Sequence, residues 1–145
     1  MLKEWMISYI KSKDANFKNI EKIDEKENSV IVTHISTSMG NGFKKQVVPK
    51  IATYVAQDTL QAENKNIAPD TIIITLNTKK NMNYFVDHFE EFAKNETLRI
   101  IFANPNINET WQIHPFRHHK LSKMMEANLK QSILSLFETV PEYIA

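Results

Sequence analysis

Apolar positions recur along the chain in two alternating periods. Leu2, Trp5, Met6, Tyr9 and Ile10 share one stripe, the 3.6-residue spacing of an amphipathic helix. Phe17, Ile20 and Ile23 then alternate with charged residues, and residues 24–28 are polar. Val-Ile-Val-Thr-His-Ile, within residues 29–36, is β-branched and reads as a strand. The two runs predict a hairpin.

Residues 36–42 contain both glycines of the chain, and Asn41-Gly42 is a hairpin-turn signal. A third strand over residues 43–48 follows, and Pro49 then suits the first turn of a helix, where a missing N–H costs nothing. The alternative, a loop running straight into a helix near Phe43, puts Pro49 inside that helix at a cost of roughly 3 kcal/mol. Pro49 therefore favours the hairpin. Ile51, Ala52, Val55, Ala56, Thr59 and Leu60 are read as one face of a helix ending near Asn64.

Thr-Ile-Ile-Ile-Thr-Leu (residues 71–76) predicts a strand buried on both faces. Asn77 and Thr78 can cap the next helix, whose core stripe is Met82, Phe85, Val86, Phe89, Phe92 and Ala93. Leu98 to Ala103 is a further strand, so this unit reads as a parallel β-α-β crossover. Thr110 to His114 pairs back antiparallel after a turn-rich loop. A last helix is expected from about His118 to Val140, stopped by Pro141. The expected fold is α+β or α/β, with one mixed sheet packed with about four helices. Antiparallel strands come first, then the parallel crossover. Residues 1–145 form one domain, because neither repeats nor a linker interrupts them.

Composition narrows the chemistry. The chain has no Cys, which removes disulfides, thiolate ligands and Cys nucleophiles and fits a reducing, cytoplasmic setting. Charges inside the first ten residues argue against a signal peptide, and no apolar run has transmembrane length. The net charge of +1 lacks the basic excess of a dedicated nucleic-acid binder, and only Arg99 and Arg117 offer guanidinium groups.

Four constellations are candidates for chemistry. The first spans residues 33–45, with His34, Ser36, Gly40, Gly42 and Lys44 as a potential phosphate loop. Its spacing matches neither common phosphate-loop pattern, and a hairpin turn explains the glycines. The second is an acid-free run with His114, Arg117, His118, His119 and Lys120 near a helix start, where cations are unfavourable and an anion is welcome. On helical periodicity His118 turns towards the core, and His119 and Lys120 towards its edge and the solvent. No carboxylate nearby in sequence completes a metal set, so neither metal nor cofactor is expected.

The third cluster, Asp87, His88, Glu90 and Glu91, reads as a solvated helix face. The fourth is a contrast. Many metal-dependent nucleases share the order helix, three strands, helix, strand, but need acids on the second and third strands. Here those strands have none. No catalytic set is complete, so whether the chain is an enzyme stays open. The reading is a non-enzymatic protein-binding or adaptor module, acting on a protein partner or a second copy. The alternative is a nucleotide- or nucleic-acid-handling protein using residues 114–123.

Overall fold

A computed structural model describes residues 2–15, 19–39, 45–62, 69–125 and 128–145, with 36–39, 45–48 and 122–125 at the level of the backbone. Within these residues the chain forms α1 (Leu2–Asp14), β1 (Ile20–Glu25), β2 (Ser29–Met39), β3 (Lys45–Gln57) and β4 (Thr71–Leu76). It continues with α2 (Lys79–Asp87), α3 (Phe89–Ala93), β5 (Arg99–Asn104), β6 (Glu109–Ile113), α4 (Pro115–Met125) and α5 (Leu129–Phe137). The six strands make one sheet in chain order, β1-β2-β3-β4-β5-β6. β3, β4 and β5 are parallel, and the remaining neighbours are antiparallel. The expected single mixed sheet, antiparallel first and then a parallel crossover, is the observed one.

Strand side chains alternate between faces, and each face meets a different layer. Leu2, Met6 and Ile10 form the buried stripe of α1 and pack on Val30, Val32, Ile72, Ile74, Ile101 and Ala103. The other face presents Ile73, Ile100, Phe102, Trp111 and Ile113 to α2, α3 and α5. β4 is central and buried on both sides, as its unbroken β-branched run predicts. Trp5 Nε1 donates to Asn108 Oδ1 at 2.9 Å and ties α1 to the β5–β6 turn, where Asn108 takes the left-handed φ of 55°.

Three expectations need correction. Residues 51–57 are the end of β3, not a helix. The run fits both periods, and pairing decides: Tyr54 and Ala56 join the α1 side, while Thr53 and Val55 alternate to the other. Residues 58–62 instead carry the chain away from β3, with Leu60 buried on the α2 side. Pro49 belongs to this strand too. Ile35 N–H donates to Asn19 O on the β1 side, so the Ile35–Pro49 pair exchanges no hydrogen bonds. The nitrogen of Pro49 then faces the opposite edge, where a missing donor breaks no ladder.

The last helix is two helices. α4 starts at Pro115, which serves as the first helical residue and not only as a strand stop. α5 restarts behind Asn128, whose side chain accepts from Gln131 N–H at 3.3 Å. The middle helix breaks at His88 into α2 and α3, yet Phe85, Phe89 and Phe92 continue one core stripe across the break. The described residues thus hold five helices, where about four are expected. The hairpin reading of residues 36–48 holds, because β2 pairs with β3 as far as Met39 and Lys45. Phe17 and the expected Asn41-Gly42 turn lie outside the described residues. No helix among the described residues is long and apolar enough to cross a membrane.

Candidate binding surface

Open α/β sheets take ligands beyond the carboxyl ends of their parallel strands. In this chain that end is filled by residues 140–144. Asn77, directly after β4, is completely buried. Its Nδ2 donates to the carbonyls of Val140 at 3.0 Å and Pro141 at 3.3 Å, and its Oδ1 accepts from Trp111 Nε1 at 2.7 Å. Asn104, directly after β5, donates to Pro141 O at 3.0 Å, and Asn106 reaches Ile144 O at 3.1 Å. The crevice therefore holds a segment of its own chain, gripped by side-chain amides.

The amino end of the parallel strands is different. β5 and β6 pair Ile100 with Ile113, so the antiparallel register brings Arg99 level with His114. Arg117 lies one turn into α4, and its N–H approaches His114 Nδ1 at 3.5 Å. Burial, reinforced by the charges of Arg117 and Arg99, holds the His114 imidazole below its ordinary value. Arg99 also touches β3 electrostatically, offsetting part of the rise that burial imposes on the Tyr54 phenol. The two arginines of the chain thus flank one neutral imidazole. Both are exposed, and neither is ion-paired among the described residues. Exposed Asp70 and Glu96 are the acids that precede β4 and β5 at this end.

The rest of the cationic run diverges. The His118 ring packs edge-on against Phe89, with centroids 6.0 Å apart, and His119 tilts against the same ring at 5.8 Å. Lys120 lies over Phe116 at 4.7 Å. His118 Nε2 is buried with no hydrogen-bond partner among the described residues, and burial lowers its pKa. The sign of the consequence is fixed. The unfolded imidazole takes up its proton as pH falls through about 6.5, before the folded one does. Stability is therefore full above that pH and declines below it. Urea midpoints at pH 7.5 and 5.5 should show this decline, and His118→Phe should reduce it. An unchanged decline in the variant would remove His118 as a contributor. In the third cluster, His88 stacks on Tyr84 at 4.0 Å while Asp87, Glu90 and Glu91 stay exposed.

The first constellation falls on β2 and β3. β1 leaves β2 after His34, and β4 first meets β3 at Thr53. Beyond these points the two strands continue alone as a ribbon, with five more residues of β2 reaching about 17 Å. Along β3 the backbone groups alternate in direction. Thr53 N–H donates outward to Asp70 O at 3.2 Å, so Ile51 and Val47, two and six residues earlier, also direct their N–H away from β2. Pro49 between them has no donor. No strand pairs with this stretch among the described residues, and Ile51 is 60% exposed beside it.

His34 pairs with Lys50 across the ribbon. Ser36 pairs with Val48, whereas Gly40, Gly42 and Lys44 lie outside the described residues. His34 and His114 belong to strands at opposite sides of the sheet, so the two sequence candidates form no single pocket. Sequence reasoning missed Arg99 as a site residue. The signal was available, since a short β5–β6 connection fixes the register that sets residue 99 beside residue 114. Among the described residues no group of three or more His, Asp or Glu is placed to hold a metal ion. Comparison with family models, with curated proteins and with solved structures returned no match.

Proposed function

We propose that this chain is a non-enzymatic protein-binding module that receives an extended strand of a partner along the open edge of β3. The carrying observation is that edge: outward N–H groups at Val47 and Ile51 on a ribbon that no strand joins among the described residues. An unpaired strand edge is a template for another strand, with main-chain hydrogen bonds giving affinity and neighbouring side chains giving selectivity. The filled crevice beyond β4 and β5 adds support, since the usual place for a small ligand is held by residues 140–144. The absence of cysteine is in keeping with a cytoplasmic protein.

A photo-crosslinking residue at position 51 tests this reading in cells. It should capture a defined partner, or a second copy of the chain, that the same residue at exposed Glu91 does not. Val47→Pro in the same chain removes one outward donor and leaves the β2–β3 hydrogen bonds intact, so it should abolish that capture. Equal capture from both positions would end the proposal. The second reading is a nucleic-acid-handling protein. It is favoured by two stretches without acids, residues 29–57 and 110–125, which between them carry the lysines of the ribbon and the start of α4.

A further inference from the structure

We infer that the strand taken up by β3 is acidic, and that Lys50, Arg99 and Arg117 select it. This inference rests on the edge-binding reading above.

The parity of the sheet places the relevant side chains on one face. Val30, Val32, Tyr54, Ile72 and Ile101 contribute to the α1 side. Two-residue alternation then assigns His34 and Lys50 of the ribbon, and Arg99 of β5, to that same side. His114, level with Arg99 on β6, also shares it. The open edge of β3 runs down past the amino ends of β4 and β5. A strand added there lies in line with β4, with Lys50 on one flank and Arg99 on the other. Strand spacing and rise put those two Cα positions about 16 Å apart. That distance suits a bound strand between two long cationic side chains.

The charge of this corner is one-sided. Residues 29–57 contain no Asp or Glu, and in sequence their only titratable side chains are His34, Lys44, Lys45, Lys50 and Tyr54. Arg99 and Arg117 stand exposed and free of ion pairs among the described residues, and they already depress protonation of His114. Asp70 and Glu96 at the same end, and Asp14, whose carboxylate accepts from the N–H groups of Asn19 and Ile20 beside His34, offset these cations only in part. Uncompensated cations around an open backbone edge attract an extended segment of opposite charge and repel one of like charge. A nucleic acid shares the charge but not the need for strand hydrogen bonds, because its contacts go to phosphates. The donors of Val47 and Ile51, unpaired among the described residues, therefore favour a peptide.

Fluorescence anisotropy with the full chain and three labelled ten-residue peptides tests the inference. The peptides alternate Val with Glu, with Gln or with Lys. The Glu peptide should bind at least tenfold more tightly than its Gln isostere, and the Lys peptide more weakly than both. Arg99→Ala with Arg117→Ala should shrink the Glu-over-Gln preference below threefold and leave Gln-peptide affinity unchanged. Lys50→Ala should act in the same direction. Ile51→Pro should weaken both peptides, and circular dichroism of each variant checks that it folds. Equal affinity for the Glu and Gln peptides would overturn the acidic partner while the edge reading stands. No binding by any peptide would overturn both. A duplex oligonucleotide that binds more tightly than the Glu peptide and ignores Ile51→Pro would replace the peptide with a nucleic acid.

Discussion

Phe85→Ala should destabilise the fold by about 3–5 kcal/mol, the usual range for removing a buried aromatic ring. Phe85 is completely buried at the centre of the α2-side core. Its ring meets Phe89 edge-on at 5.5 Å, Phe92 at 5.5 Å and Phe102 at 5.8 Å. Helix α2, the helix α3 behind the His88 break, and strand β5 therefore share one contact point. The rings around it are held by their own backbone elements, so they close the cavity only in part. Urea denaturation measures the loss, and Phe85→Leu, which keeps most of the volume, should cost far less. If alanine cost under 1.5 kcal/mol, the break at His88 would be letting α3 collapse inward, and the two helices would not be a fixed layer.

Asn77→Ala should cost about 3 kcal/mol. The substitution removes no apolar packing of consequence. It leaves Trp111 Nε1 without its acceptor and takes the side-chain donor from Val140 and Pro141. Each buried polar group left unpaired costs about 1–3 kcal/mol. The backbone bonds of Asn77, from its N–H to Ala103 O and from Tyr143 N–H to its own carbonyl, survive the change. A double variant separates the terms. Adding Trp111→Phe to Asn77→Ala removes the stranded donor, so the pair should lose less than the sum of the two single variants. Strict additivity would mean that water reaches the site and replaces the amide.

Much of this architecture is legible in the sequence, and the misses share a cause. The helix stripe of Leu2, Met6 and Ile10, the buried run of β4 and the crossover to β5 follow from a single clear period each. Residues 51–57 fit both periods. There Pro49 suits a helix start, because sequence does not show which edge of a strand a proline faces. The break at His88 is similarly silent, since the core stripe runs through it. For the candidate site, the acid-free run falls at the start of α4, and most of its cations diverge. His118 and His119 turn onto Phe89, and Arg117 instead joins Arg99, a residue 18 positions away in sequence. Side-chain grouping by proximity along the chain loses to grouping by register across a hairpin. The buried role of Asn77 was read only as a helix cap, because its side-chain partners come from 34 to 64 residues later.

The order of the strands has a kinetic side. Every strand pairs with its neighbour in sequence, so no pairing requires closing a loop around another strand. The cost of loop closure rises with chain separation, and sheets built from local pairings fold faster than those built from distant ones. Thr53 meets Thr71, and Ile72 meets Arg99, across short stretches of chain. The longest reaches lie outside the strand pairings: the docking of residues 140–144 on Asn77 and Asn104 spans 63 positions in the case of Val140, and Trp5 of α1 meets Asn108 across 103 positions. The sheet can therefore zip from neighbour to neighbour, while the terminal docking is expected late. Its contribution falls on the lifetime of the folded state more than on the speed of reaching it.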